Sequence, residues 1–500
     1  MTRRAALAVF GLVFVLFASW ALATPLFGAP DEHTHVIRAT SVIRGDILGE
    51  DTSTAAVTEV KAPALYGRLG ERVTCFIFKP QVTPGCMGAF DGSHAFVPTQ
   101  TYVGRYDPVY YGAVGAPSLF WTGAVGVYAM RMVSAAISAA LVTLAILAAR
   151  RAARPSLAVA GVAFALTPMT LFLGGSVNPN GMEVAGAICL WSAGLLALDT
   201  RTRQTPLVVF AVIGAMALVV ARGLSPLWLV CSLALMALAA VRRPRQTLLG
   251  DRRMVLAGVV VGATTVFALA WIALTDALAI LPIGEKVSGS LPRIAFNILG
   301  RTRLELEQMI GWLQYFDVRM PFLTYTVWYV GVGALVLLAV AIGRRRAWMA
   351  AVLCLGLTVL SPLVELPSVR TTGLVWQGRY ALPVAVGIPI LAAYALSSAS
   401  GDVLRLLRRL AVVLVGAVGV ALVAGFYWAG RRNAVGTEGP LLYLGREEWH
   451  TPVPFWLLML AFTGAVAALM VLFWWLVGRE QDAPGGTAAE TESALVTTSG

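Results

Sequence analysis

Apolar runs of about twenty residues alternate with polar segments along almost the whole chain. A run of this length forms a helix that crosses the ~30 Å hydrocarbon core of a bilayer. The pattern therefore predicts an all-α polytopic membrane protein. The twelve predicted spans lie near residues 5–24, 124–149, 156–174, 182–199, 206–221, 225–241, 254–275, 323–342, 348–364, 380–398, 410–429 and 453–477.

The polar segments between these runs differ greatly in length and divide the chain into six parts. They are an anchor at 1–24, a polar loop at 25–115, spans two to seven at 116–275, a second loop at 276–322, spans eight to twelve at 323–479 and a tail at 480–500. Apolar residues at helical spacing predict an interfacial amphipathic helix at 301–321 in the second loop. The small, polar and acidic tail predicts disorder.

The first apolar run also has features of a secretory signal peptide, with a basic start and an Ala-x-Ala ending at Ala21 to Ala23. Cleavage there would remove the anchor directly before a polar motif and would leave an odd number of spans. We therefore expect an uncleaved anchor.

Arginine placement orients the predicted spans. The chain is 58% hydrophobic and 13% charged, and its net charge is +12. Most of the arginines lie in every second loop between the predicted spans. Short loops rich in arginine stay in the cytoplasm, so we expect both termini to be cytoplasmic and the long polar loops to lie outside. Membrane topology thus accounts for the basic charge, and no nucleic-acid partner is expected.

Two of the five cysteines, Cys75 and Cys86, lie in the long polar loop, whereas the other three lie inside apolar runs. A loop outside the cytoplasm is an oxidising environment in which a disulfide persists. We therefore expect a disulfide between Cys75 and Cys86.

The densest ionisable chemistry follows the first span directly, in the stretch PDEHTHVIR that begins at Pro30. Proline suits the first turn of a helix, and Asp31, His35 and Arg38 would then share one helical face. Held on the outer membrane surface, this face would offer a general base, its partner and a phosphate clamp. The alternatives are a capped helix start with solvated charges, or a divalent metal site that includes Glu32 and the histidines.

Further polar residues lie near the outer ends of the predicted spans. Charged groups at membrane depth usually face the bundle interior or a cavity, so Arg131, Arg222 and Arg379 would converge on an anion such as a lipid-linked phosphate. The alternative is that each guanidinium snorkels to the headgroups. Between spans three and four, Asn178 and Glu183 would line the mouth of a cavity, or belong to a tight turn that caps the next helix.

These motifs resemble, in the same order, a family of bacterial membrane proteins known as domain of unknown function 2142. The motifs are Pro30-Asp31-Glu32 with His35 and Arg38, Ser176-Val177-Asn178, Gly311-Trp312 and Gln377-Gly378-Arg379-Tyr380. The resemblance extends over roughly residues 5–480. It implies a GT-C glycosyltransferase fold, similar to the protein O-mannosyltransferases and the lipid A aminoarabinose transferase.

Those enzymes carry an Asp-Glu pair in their first outer loop and use polyprenyl-phosphate sugars as donors. The resemblance implies that Asp31 is the general base or orients the acceptor, and that Glu32 is its neighbour in the catalytic pair. By location, Arg131 and Arg379 would contact the donor phosphate. The full set of predicted substrate-binding residues is His35, Arg38, Arg131, Asn178, Glu183, Arg222, Gln377, Arg379 and Tyr380.

The sequence thus predicts a glycosyltransferase that acts on a cell-envelope glycan, lipid or protein at the outer face of the membrane. No nucleotide-binding or zinc-protease pattern is present, and a divalent metal ion is the only cofactor left open. A transporter or lipid-linked glycan flippase is the main alternative, and it would need ionisable residues near the bilayer midplane. A non-catalytic scaffold is the third interpretation.

Overall fold

A computed structural model shows a chain built largely of helices. It describes residues 2–482 except 55, 200–202, 241–247, 280, 283, 343–344 and 444. The α-helices of the described residues are α1 Arg3–Ala23, α2 Glu32–Val42, α3 Ala64–Arg72, α4 Pro108–Gly115, α5 Ala124–Ala149, α6 Pro155–Ala165, α7 Pro168–Gly174, α8 Pro179–Leu198, α9 Thr205–Val219, α10 Ser225–Ala240, α11 Arg252–Thr275, α12 Leu291–Gly300, α13 Thr302–Gly311, α14 Phe322–Ala341, α15 Arg345–Glu365, α16 Val369–Thr372, α17 Leu382–Ala385, α18 Gly387–Leu396, α19 Gly401–Val435 and α20 Phe455–Asp482.

The polytopic all-α architecture is confirmed. Within the described residues, eight helices are long and apolar enough to cross a membrane, namely α1, α5, α8, α11, α14, α15, α19 and α20. Helices α6 and α7 form a ninth span if they are taken together across their 70° bend, which precedes Pro168. The other three predicted spans correspond to shorter apolar helices, which are α9, α10 and the pair α17–α18.

Helix α8 lies at the centre of the bundle, and every one of its residues is buried. A helix that is apolar on all sides needs such an interior position. Small residues allow its neighbour α9 to approach closely, since a Cβ on Gly214 would lie 2.6 Å from the backbone nitrogen of Leu190. The central helices therefore form a rigid base for the segments that cross the end of the bundle.

The long polar segments gather at one end of the bundle, which we call the loop layer. It comprises the described residues within 24–123, 276–321, 366–381 and 436–454. Contacts between distant parts of the chain hold it together. The backbone N–H of Thr437 donates to the carbonyl of Pro80 at 3.0 Å, and that of Gly284 donates to the carbonyl of Thr372 at 2.9 Å.

The other end, which we call the basic face, carries the arginine-rich helix ends and short loops. Its described arginines are Arg3, Arg4, Arg150, Arg151, Arg154, Arg203, Arg252, Arg253, Arg405, Arg408, Arg409 and Arg479. Carboxylates pair with some of them, as in the contact of 3.3 Å between Arg408 and Glu480. The chain therefore has one basic end and one end built of long, folded loops.

The loop layer contains β-structure that the hydrophobic pattern did not predict. Strands β1 (Glu50–Asp51), β2 (Thr58–Pro63) and β3 (Phe96–Thr101) form an antiparallel sheet in the order β1-β2-β3. A disulfide joins Cys75 to Cys86 in the connection between β2 and β3, as expected.

The predicted amphipathic helix at 301–321 is shorter in the structure than expected. Helix α13 ends at Gly311, and the chain continues as a hairpin of β4 (Trp312–Leu313) and β5 (Val318–Arg319). A further helix, α12, precedes it.

The predicted helix directly after the first span is present as α2, and other segments of the loop layer cover it. The α3 and α4 helices and strands β2 and β3 pack against it, and its residues from Thr34 to Val42 are buried. The packing against α4 is close, since a Cβ on Gly115 would lie 2.1 Å from the carbonyl oxygen of Ala39.

Candidate active site

Asp31 lies at the turn between α1 and α2, in a left-handed conformation with φ +66°. This conformation is uncommon for a residue other than glycine, and contacts on both sides hold it. The backbone N–H of Asp31 donates to the Tyr315 hydroxyl at 3.3 Å, and its carbonyl accepts from the Thr34 hydroxyl at 2.7 Å. The Asn178 side chain donates to the carbonyl of Pro30 at 3.2 Å. The turn is thus tied to the first turn of α2 and to two distant segments, the hairpin that carries Tyr315 and the turn before α8.

Both oxygens of the Asp31 carboxylate accept hydrogen bonds, and the side chain is still 31% exposed. The Tyr102 hydroxyl donates to Oδ1 at 2.8 Å, and Nη2 of Arg379 donates to Oδ2 at 2.9 Å. Burial alone would raise the pKa of Asp31, but the Arg379 charge and these hydrogen bonds lower the pKa to about 2. The carboxylate is therefore ionised at neutral pH.

The guanidinium groups of Arg379 and Arg222 both lie against the aromatic ring of Tyr380. Their guanidinium carbons lie 5.2 Å and 4.8 Å from the centre of the Tyr380 ring. The Nε and Nη1 atoms of Arg379 are buried and form no hydrogen bond within the described part of the chain. One of these arginines thus pairs with the Asp31 carboxylate and the other lies on the same tyrosine ring, and Arg379 has donors left over that an anion would satisfy.

A tight turn in the motif Gln377-Gly378-Arg379-Tyr380 positions Arg379. The backbone N–H of Gly378 donates to Oε1 of Gln308 in α13 at 2.6 Å. A Cβ at Gly378 would lie 2.0 Å from the carbonyl oxygen of Glu305, so only glycine fits against α13 here. Gln377 lines a small cavity with Arg379 beside this turn.

Arg222 is positioned by a buried chain of polar side chains at the start of α8. Its Nη1 donates to Oδ1 of Asn180 at 2.8 Å, and Nδ2 of Asn180 donates to Oε2 of Glu183 at 2.7 Å. The hydroxyl of Ser225 donates to the other oxygen of Glu183 at 2.6 Å. Glu183 therefore acts on Arg222 through Asn180.

His35 and Arg38 face the segment 102–111 rather than solvent. Nδ1 of His35 lies 2.7 Å from the Tyr111 hydroxyl, and Nη2 of Arg38 donates to the carbonyl of Tyr106 at 2.9 Å. Burial lowers the pKa of His35 to about 3, so its imidazole is neutral at physiological pH. The predicted face of α2 exists, and one segment of the loop layer covers it.

Glu32 and Arg131 form an ion pair in the interior, where both side chains are 0% exposed. Nε and Nη2 of Arg131 donate to the two Glu32 oxygens at 2.7 Å and 2.5 Å. The same carboxylate accepts backbone N–H groups of Phe27 and Val177 at 3.1 Å and 3.0 Å. Arg131 also donates to the carbonyls of Ala21, Thr24 and Pro25. The pair joins the ends of α1, α2 and α5 to the turn before α8.

Four tyrosines of the site, Tyr102, Tyr106, Tyr111 and Tyr315, are not among the residues predicted from the sequence. The stretch TYVGRYDPVYYG contains four tyrosines within a polar loop, which was the available signal. Their partners could not be read from spacing, since 71 residues separate Tyr102 from Asp31 and 284 residues separate Tyr315 from it.

The metal interpretation gains no geometric support. Among the residues that the structure describes, no group of three or more histidine, cysteine, aspartate or glutamate side chains is arranged to hold a metal ion.

Comparison with known proteins places the chain in a family. A family profile described as a predicted membrane protein (DUF2142) matches residues 14–388, and the chain belongs to this family. Two solved structures of ArnT from Cupriavidus metallidurans are also similar, one in the apo state and one bound to undecaprenyl phosphate. Each is 16% identical, with a TM-score of 0.41, over 96% of this chain and 78% of that chain. No curated protein matches the sequence.

Proposed function

We propose that this chain is a membrane glycosyltransferase that transfers a sugar from a polyprenyl-phosphate donor to a glycan, lipid or protein of the cell envelope. The supporting observation is the grouping of a partly exposed carboxylate with two arginines on one tyrosine ring, at the loop-layer end of the bundle. Sugar transfer from a lipid phosphate requires a general base beside a positively charged site that binds the phosphate. The arginine-rich basic face supports a cytoplasmic position for that end, with the loop layer outside.

In the proposed reaction, the acceptor hydroxyl oxygen forms a bond to the anomeric carbon of the donor sugar. The bond from that carbon to the phosphate oxygen breaks, and its electron pair leaves with the polyprenyl phosphate. The hydroxyl proton moves to the Asp31 carboxylate, and the anomeric configuration inverts. Arg222 and Arg379 stabilise the negative charge that develops on the leaving phosphate.

The ion pair between Asp31 and Arg379 couples donor binding to base strength. Without donor, the Arg379 charge and the hydrogen bonds from Arg379 and Tyr102 together more than offset the effect of burial. They hold the pKa of Asp31 at about 2, which makes this carboxylate a weak base. A donor phosphate would compete for the guanidinium, two of whose nitrogens have no hydrogen bond among the described residues. Once Arg379 turns to the phosphate, the pKa of Asp31 rises and the carboxylate accepts a proton more readily.

In this proposal Glu32 and Arg131 are positioning residues, because the pair is fully buried and its hydrogen bonds are made within the protein. Tyr102 and Tyr315 hold the Asp31 carboxylate and backbone.

The test uses the purified full chain with labelled polyprenyl-phosphate hexose and pentose donors and a cell-envelope fraction as acceptor. The measured quantities are the release of polyprenyl phosphate and the incorporation of label. Asp31→Asn removes the base, and we expect the rate to fall by about a thousandfold or more. Asp91→Asn is the matched control, since the Asp91 side chain is 70% exposed and lies outside the site.

Membrane insertion and thermal stability of both variants are measured in parallel, so that a loss of rate is not a loss of folding. A rate for Asp31→Asn equal to that of the wild type would contradict the role of Asp31. A wild-type protein that transfers neither class of sugar to any envelope fraction would contradict the proposed function itself.

A further inference from the structure

A large apolar cavity lies at the opposite end of the bundle from Asp31, between α1, α5, α6, α19 and α20. Its volume is about 480 Å³, and most of its lining side chains are aliphatic or aromatic. Its lining extends along α1 from Thr2 to Leu16, a rise of about 21 Å at 1.5 Å per residue. Half of a ~30 Å hydrocarbon core is about 15 Å. The cavity thus extends from the basic face to the middle of the membrane.

The basic-face end of this cavity carries cations. Arg150 and Arg479 line the cavity, and Arg150 and Thr2 also line an adjoining cavity of about 290 Å³ together with Arg3 and Arg151. No carboxylate lines either cavity. Within the described ranges, these four arginines form no ion pair with a carboxylate.

We propose that the two cavities together bind one anionic diacyl phospholipid from the leaflet at the basic face. Its acyl chain occupies the apolar cavity, and its phosphate group lies among Arg3, Arg150 and Arg479. An apolar slot alone accepts a chain from any lipid, whereas basic pockets between helices select anionic headgroups. This inference does not depend on the proposed glycosyl transfer.

The experiment measures thermal unfolding of the purified full chain in a mild detergent. Phosphatidylglycerol and phosphatidylcholine with identical acyl chains are added in separate titrations. Both headgroups carry a phosphate, but only phosphatidylglycerol has a net negative charge. Each arginine near the headgroup favours the anionic lipid roughly fivefold, so we expect phosphatidylglycerol to stabilise at concentrations at least about tenfold lower. Native mass spectrometry of the purified protein counts the lipid that remains bound.

Three variants distinguish the binding of the lipid headgroup from the binding of the acyl chain. Arg150→Gln with Arg479→Gln removes two of the three headgroup arginines and is expected to reduce the preference for phosphatidylglycerol at least about fivefold. Ala8→Trp fills the apolar cavity, which Ala8 lines, and is expected to abolish the response to both lipids. Arg405→Gln with Arg409→Gln removes two exposed charges from the same face outside both cavities, and is expected to behave as the wild type.

Equal stabilisation of the wild type by both lipids would overturn the proposal, as would a preference that is undiminished after loss of Arg150 and Arg479. Stronger stabilisation by polyprenyl phosphate than by phosphatidylglycerol, abolished by Ala8→Trp, would overturn the assignment of a diacyl lipid. If the arginine variant does not fold, the decision rests on the wild-type titrations and on Ala8→Trp.

Discussion

The exchange Glu32→Gln tests whether the second carboxylate of the motif positions the site or takes part in chemistry. Gln keeps the size and shape of Glu32 but replaces one acceptor oxygen with an N–H donor. In the structure four N–H groups donate to this carboxylate, two from Arg131 and two from the backbone. The variant therefore places donors against donors and leaves the Arg131 charge unpaired in the interior.

The expected cost follows from burial. Both side chains are 0% exposed, so water cannot solvate the guanidinium that remains. Removing one partner of a buried ion pair costs roughly 3–5 kcal/mol of unfolding free energy. This corresponds to a change of about a hundredfold to several thousandfold in the unfolding equilibrium. The end of α1 and the turn that carries Asp31 are the segments that lose support.

The assay is reversible unfolding in mixed micelles with increasing dodecyl sulfate, followed by tryptophan fluorescence. Glu71→Gln is the matched control, since Glu71 lies on an exposed position of α3, and a surface exchange of this kind changes stability by less than about 0.5 kcal/mol. A Glu32→Gln protein within about 1 kcal/mol of the wild type would refute the structural reasoning. Loss of activity with unchanged stability would instead favour a catalytic Glu32.

Three further predictions concern the loop layer. Gly378→Ala places a methyl carbon 2.0 Å from a carbonyl oxygen of α13, so we expect the transfer rate to fall at least about tenfold, whereas Gly300→Ala, with no atom within 4 Å, leaves it unchanged. Burial raises the pKa of Asp107 to about 6 from 3.8, so the folded state retains a proton that the unfolded state loses, and stability falls as pH rises from about 4 to 6. Asp107→Asn removes this dependence. The melting temperatures of the variant and the wild type are expected to coincide below about pH 4, and the variant is expected to melt at the higher temperature at pH 7. Tyr102→Phe removes a hydrogen bond that lowers the pKa of Asp31, so the acidic limb of the pH–rate profile is expected to shift upward, with less than about a tenfold change in maximal rate. An unshifted profile would contradict that role of Tyr102.

The hydrophobic pattern by itself determined the apolar helices and their order. Each predicted span corresponds to one apolar helix or to a pair of shorter ones in the described residues, because a backbone in lipid must satisfy its hydrogen bonds within the helix. The start of α2 beside Asp31 and the Cys75–Cys86 disulfide could also be predicted from the sequence, since short-range signals determine both. The sheet that covers α2 could not be predicted, because its short strands pair residues far apart in sequence.

Which charges meet was decided by tertiary structure alone. In the sequence, Arg131 and Arg379 look alike, since each lies near one end of an apolar run. In the structure one pairs with fully buried Glu32, 99 residues away, and the other with partly exposed Asp31, 348 residues away. The packing of the helices and loops sets how much water reaches each pair. That difference in desolvation distinguishes the interior pair from the pair in the candidate site, and it cannot be read from the spacing of residues in the sequence.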